Sequence, residues 1–437
     1  MNIPSRIKVF FVFLIASFFV GCGGNGGDDT SGGDTTSSAT HATYSINFYD
    51  KNLDLIDTVS ANESIITLVD IKSGSWYKAG KNSSIVTYNL TSDIRLYAVA
   101  NVTEITNQDE LDYIRDDLNG KYILLNDIAL DENGTGFDNS TGWNPIGYPL
   151  PFKGIFNGNF HKITNLWINR PSDSHIGFFG YAYNAKIRNL GIEIAEGKEI
   201  KGYRSIGGVA GYIEYSSIIN SYSIGNISGN YGYVGGVIGD VVHSYNIANI
   251  YSIGNVSGNI SSDGGYVGGV AGRVEYGNIT NSYSIGNING NGAYAGGIAG
   301  GVTLGNITNS YSIGNVSGSY SVGGIVGLAY KSSVKNNAAI NLSVTGKKSY
   351  HINRAIGSIN IEHSDIFNFA RKALASGFNN FEEGNAYSGD GKVDGAFLEE
   401  DTYKIDLNWK FGDDNNNPWK IDININNGYP YFYYQKL

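Results

Sequence analysis

Glu214 and Glu275 hold like places in two copies of a repeated text, and two carboxylates on one face are what glycoside cleavage uses as acid and base. Side-chain charges in the clean repeats are otherwise few, namely Asp240, Asp263 and Arg273, and none recurs in register. The pattern therefore reads as solvated surface acids in place of a catalytic pair. The six histidines, His41, His161, His175, His243, His351 and His363, are scattered, and no His-Glu-x-x-His string pairs two of them for zinc. Asp390-Gly-Lys-Val-Asp-Gly395, with Asp401 beyond, has the turn glycine of a calcium loop, but Lys392 stands where a third oxygen ligand is wanted, so it reads as a plain turn. No nucleophile elbow and no phosphate-binding loop ending in Gly-Lys-Ser/Thr is present. The expectation is a chain without catalytic activity, cofactor or metal.

One side chain has a clear chemical use. Cys22 is the only cysteine, which excludes an intramolecular disulfide and a thiolate metal cluster. It follows Arg6, Lys8 and an apolar run from Val9 to Val20 that is shorter than the roughly 20 residues of a spanning helix, the form of an export signal. Phe19-Val-Gly-Cys22 resembles the lipobox of bacterial lipoproteins, although Phe19 stands where that family usually has leucine. The resemblance implies a diacylated Cys22 at the mature N-terminus. Loss of residues 1–21 removes Arg6 and Lys8 and takes the formal charge from −10 to −12. An acidic exterior disfavours nucleic acid as a partner.

The elements that carry these residues follow from a repeat. Glycine, two apolar residues and glycine stand at Gly177 to Gly180, Gly208 to Gly211, Gly236 to Gly239, Gly269 to Gly272, Gly297 to Gly300 and Gly324 to Gly327. The preceding positions Gly207, Gly235, Gly268, Gly296 and Gly323 are spaced 28, 33, 28 and 27 apart. A Tyr-Ser-Ile-Gly-Asn box keeps step at Tyr222, Tyr251, Tyr283 and Tyr311. Such a period means that each unit buries its apolar face only against its neighbours. Period-two geometry over Ile279-Thr-Asn-Ser-Tyr-Ser-Ile285 predicts Ile279, Tyr283 and Ile285 inside, with Ser282 and Ser284 outside.

These motifs, with Gly142-Trp-Asn-Pro-Ile-Gly147 and Phe152 to Leu166, resemble GLUG-repeat proteins over roughly residues 103–435. That resemblance implies a right-handed parallel β-helix on bacterial surfaces, found also in non-catalytic regions of some large secreted metallopeptidases. The predicted order is a signal at 1–21 and a flexible Gly/Asp/Ser/Thr tether at 22–41. A small module follows at 42–100, then the β-helix at 101–350 and an irregular segment with an aromatic C-terminal cap at 351–437. In the small module, Phe48-Tyr-Asp-Lys-Asn52, Trp76-Tyr77 and Thr91 to Ala98 resemble the β-grasp-like Listeria–Bacteroides repeat, with Trp76 as a core anchor. A capping helix is expected at 108–118 behind Asn107.

The fold expected is all-β, a parallel β-solenoid capped at both ends. Its expected role is a lipid-anchored binding or adhesion scaffold at a bacterial outer membrane or cell surface, partnered by the membrane and by a host surface, glycan or envelope protein. The alternatives are a structural spacer of the envelope and a polysaccharide-degrading β-helix.

Overall fold

The computed structural model describes residues 43–61, 65–67, 75–85, 87–89, 92–138, 140–260, 264–347, 352–360, 366–371, 390–392 and 397–435. Cys22 and the expected signal and tether lie outside the described residues.

The chain from Val102 onward winds as a parallel β-solenoid with three walls. One wall stacks the strands Ala210–Glu214, Ile238–Val242, Ala271–Glu275, Ala299–Thr303 and Val326–Tyr330 between Phe179–Tyr183 and Ile356–Asn360. The Tyr-Ser-Ile boxes form a second wall, paired in register from Tyr222 through Tyr251 and Tyr283 to Tyr311. A third wall carries Asn226–Gly229, Val256–Asn259 and Ile288–Asn291 in like order. Branched apolar residues fill the lumen row upon row, as at Ile218, Ile247, Ile279 and Ile307, and at Ile213, Val241, Val274 and Val302. Few elements are helical, and the all-β parallel solenoid expected from the repeats is what the chain forms.

The structure explains why the glycine motif and the tyrosine box travel together. Ser252, Ser284 and Ser312 point into the lumen and donate their hydroxyls to the carbonyls of Gly269, Gly297 and Gly324. A Cβ on Gly236, Gly269 or Gly297 would occupy the place of those serine side chains. The glycine is therefore the space that the serine of the box uses, and one motif fixes the other.

The expected sidedness of the box is corrected by this geometry. Ile279 faces the lumen, but Tyr283 and Ile285 face outward, while Ser282 and Ser284 are buried. The reason is Asn281, whose φ of 48° breaks the strand between Ile279 and Tyr283 and reverses the alternation. Asn220, Asn249 and Asn309 do the same at φ of 50°, 56° and 53°. Asparagine tolerates this left-handed conformation, and its amide hydrogen-bonds locally. Those amides form a ladder: Asn309 donates to Asn281, Asn281 to Asn249, Asn249 to Asn220 and Asn220 to Asn189. Asn189 and Asn157 then donate to the Asp54 carboxylate at 3.1 and 3.3 Å, and Arg188 pairs with the same carboxylate at 2.8 Å.

The outward tyrosines are nonetheless buried, because the aromatic C-terminal segment lies along their wall. Trp409, Trp419 and Phe432 pack on Tyr251, Tyr283 and Tyr311, with Trp419 against Phe432 at 4.5 Å and against Trp409 at 4.6 Å. The tyrosine rings stack 4.8, 4.8 and 4.9 Å apart from Tyr222 to Tyr311. The segment thus covers a flank of the solenoid as well as its late coils, where the Trp409 indole donates to the Asn336 carbonyl at 2.8 Å.

At the other end, the helix occupies Gln108–Asp112 and tightens to a 3-10 turn at Tyr113–Arg115, shorter than the expected span. Asn107 caps it, accepting from the Glu110 amide at 2.9 Å, and Leu111 and Ile114 are buried against the first coil. In the small module, Tyr44–Tyr49 pairs antiparallel with Leu55–Ala61 and parallel with Ile94–Tyr97. Trp76 is buried there, 4.8 Å from Phe48, as a core anchor.

Candidate functional site

The outer face of the wall that bears Glu214 and Glu275 is the most chemically varied surface. Register carries Glu214 to Val242 and Val242 to Glu275, so the two acids share a column two rungs apart, about 9.6 Å at a strand spacing of 4.8 Å. Both already have partners. Tyr181 donates to Glu214 at 3.0 Å, and Arg273 reaches Glu275 at 2.8 Å. Arg273 also forks onto Asp240, at 2.9 and 3.0 Å, and its guanidinium lies 4.4 Å over the Tyr233 ring. A planar cation held in this way is pre-organised, and its packing onto tyrosine adds a face-on contact that lysine does not supply.

Beside this cluster runs an aromatic ridge that sequence reasoning missed. Tyr215, His243 and Tyr276 occupy the corner after the wall, with φ of 50°, 46° and 47°. Their rings stack at 5.1 Å and 4.9 Å, nearly parallel, and Tyr183 adds an edge contact to Tyr215 at 5.8 Å. Tyr215 is 51% exposed. A bulky side chain in left-handed backbone is an outlier that costs on the order of 1–3 kcal/mol and concentrates at functional sites. The signal was present in the sequence: Tyr215, His243, Tyr276, Leu304 and Lys331 are spaced 28, 33, 28 and 27 apart, the intervals of the glycine column.

His175 sits at the early edge of the same face, against the rings of Tyr148, Tyr181 and Tyr212. Burial, and then the charge of Arg204, hold its imidazole below its ordinary range. A histidine kept neutral by the fold binds fewer protons folded than unfolded, so its contribution to stability is complete above about pH 6.5 and is lost as pH falls toward the lowered folded value. Urea midpoints of the parent chain should therefore drop between pH 7.5 and 5.5 by more than those of His175→Gln. Equal drops would exclude His175 as a cause.

The remaining expected residues scatter. His161 contacts Asp127 at 3.0 Å, whereas His41, His351 and His363 lie outside the described residues. Asp390–Lys392 is a strand paired with Phe369–Arg371, not the turn expected there, and residues 393–396 lie outside the described residues. Among the described residues no group of three or more His, Cys, Asp or Glu is placed to hold a metal ion.

The GLUG motif family matches residues 202–228 and 263–289. These two repeats are GLUG motifs. Each match spans one coil, from before the glycine motif through the tyrosine box. No curated protein matches the chain. Among solved structures, it is similar to a Bacteroides ovatus protein provisionally named as an immunoglobulin A1 protease. The two are 22% identical over 77% of this chain and 93% of that one, with a TM-score of 0.48. A second structure, named IgA1 protease, is 17% identical over 69% of this chain, with a TM-score of 0.43. The matched region is only 25% of that protein's length. Against the expectation that the chain is not an enzyme, both of these similar structures carry the name of a protease.

Proposed function

We propose that the GLUG solenoid is a binding scaffold, displayed at a bacterial surface and anchored through lipid on Cys22, whose aromatic ridge meets a partner surface. The observation that supports the ridge is the αL backbone at Tyr215, His243 and Tyr276, which holds three stacked rings on the outside of the corner. Exposed tyrosines give large contact area at low cost in side-chain entropy, and the Arg273 cluster beside them supplies polar contacts. The lipobox-like Phe19-Val-Gly-Cys22 supports the anchor, and the Gly- and Asp-rich residues after it support a tether to the outer leaflet or cell surface. The Phe48 and Trp76 pattern supports a Listeria–Bacteroides-type module between tether and solenoid.

The test compares the full chain with a Tyr215→Ala, Tyr276→Ala variant in capture on host matrix, glycans and envelope proteins. Capture of the parent chain, weakened about tenfold or more in the variant, is the expected result. Undiminished capture would sink the ridge as the contact surface. A stoichiometric envelope protein as sole partner would favour the spacer role. Immunoglobulin A1 belongs in the same panel, read on gels for cleavage as well as capture. Cys22→Ser should release the chain from membrane fractions, and retention with no acyl label in the parent would contradict the anchor.

A further inference from the structure

The tyrosine stack and its aromatic cover do not end together. At the early coils Tyr434 and Gln435 border a cleft of about 400 Å³, and the rung before Tyr222 is Gly191. That volume lies in the range of small-ligand sites. Tyr222 is half-buried on its floor, with its ring 4.8 Å from Tyr251 on one side and leaning over Gly191 on the other. Phe160 forms a wall with its ring 5.7 Å from Tyr434.

Phe160 is the second independent observation. It is 39% exposed and held at φ 63°, after Asn159 at 51°. An exposed phenylalanine in left-handed backbone is an outlier, and here that conformation sets an apolar ring at the cleft beside Tyr434. The charged groups on the same walls are Asp127, Glu193 and Lys162, beside the amides Asn189, Asn220 and Gln435, with the lysine engaged by both oxygens of Glu193 at 3.1 Å. Burial, then the charges of Glu193 and Asp127, push the Tyr222 phenol well above its ordinary range.

We propose that this cleft binds a ring of a neutral glycan, a pyranose whose C–H face lies on the Phe160 ring beside the edge of Tyr222 and whose hydroxyls donate to Asp127 and Glu193. Two carboxylates against one engaged lysine repel uronate, sulfate and phosphate, whereas sugar hydroxyls satisfy carboxylate acceptors with charge-assisted hydrogen bonds. The aromatic rings supply the apolar half of the contact. This deepens the reading of the chain as a binding scaffold, but the cleft lies on a different wall from the ridge, so Tyr215 and Tyr276 variants leave it intact.

The test is calorimetric titration of the full chain in detergent with neutral gluco-, manno- and galacto-oligosaccharides, with oligogalacturonate and chitosan oligomers as charged comparisons. Phe160→Gly removes the ring and relaxes the backbone, so it should weaken neutral binding about tenfold or more while the thermal midpoint stays level or rises. Glu193→Gln should weaken the same binding. A charged oligomer bound more tightly than every neutral one overturns the assignment, as does absence of neutral binding or binding unchanged in both variants. A fall in midpoint with Phe160→Gly assigns that ring to structure and overturns its role, and Glu193→Gln then decides whether the cleft binds sugar at all. Loss of capture in the ridge variant with cleft binding retained fails the ridge alone.

Discussion

Trp419→Ala should cost about 3–5 kcal/mol, the loss typical of removing a fully buried tryptophan. Trp419 is completely buried and touches Trp409, Phe432, Tyr283 and Tyr311 at ring distances of 4.6, 4.5, 6.3 and 5.9 Å. Regular strand pairing within the flank cover is the two-residue ladder of Trp419–Lys420 with Tyr431–Phe432, and contacts with the solenoid, such as Tyr283 to Gln435 at 2.8 Å, hold the rest around the indole. A two-stranded ribbon of that size is not stable alone, so its order depends on the indole. Tyr283 and Tyr311, whose phenols burial now holds far above their ordinary range, should begin to titrate like free tyrosine once the cover lifts. Denaturant unfolding gives the energy, and the ultraviolet titration of tyrosine reports the uncovering. A variant within about 1 kcal/mol of the parent, with the phenols still silent, would mean that the cover is held elsewhere.

Gly286→Ala should cost about 2–4 kcal/mol, from a single methyl group. Gly286 lies at φ 142°, and a Cβ there would come 2.1 Å from the carbonyl oxygen of Gly254 in the coil before it. That neighbour is backbone and cannot swing away. Gly254 and Gly314 repeat the situation against Gly225 and Gly286, so the corner is a column of glycines and a methyl group on one of them wedges two coils apart. Gly197→Ala is the control: at φ 71° with nothing within 4 Å, it carries only the backbone strain of about 1–2 kcal/mol. In a stack where each coil contacts only its neighbours, the damage should be local, with faster hydrogen exchange around Tyr251 to Tyr311 and little change near Trp76. Equal costs for the two substitutions would show that contact between coils is not the source.

The solenoid was legible because its determinants are periodic: the Gly207 column, the tyrosine box and the lumen rows of Ile and Val repeat at one interval, and stacking follows from that. The side of the wall that each tyrosine faces was not legible from alternation, because one αL asparagine between Ile279 and Tyr283 inverts it. Nor was the flank cover, since Trp409, Trp419 and Phe432 carry no period and their partners on the solenoid lie far earlier in the chain. The Glu214 and Glu275 column was read correctly as one face, whereas Arg273, which ties Glu275 to the buried Asp240, shows only in the register. The ridge hid in plain view, because its members Tyr215, His243 and Tyr276 differ in residue type and share only their spacing.

The asparagine ladder gives the stack a sense of direction. Every amide from Asn309 to Asn189 donates toward the early coils, and the series ends on the carboxylate of Asp54 beside Arg188. Aligned amides polarise one another, and an anion at the accepting end is the charge such a series favours. Any coil added in the middle inherits a donor from the coil after it and an acceptor from the coil before it, so the Asp54 end of the series stays satisfied. Length is therefore a free variable of this architecture: gene duplication within the repeats can lengthen it in steps of about 4.8 Å without redesigning the end where the small module docks.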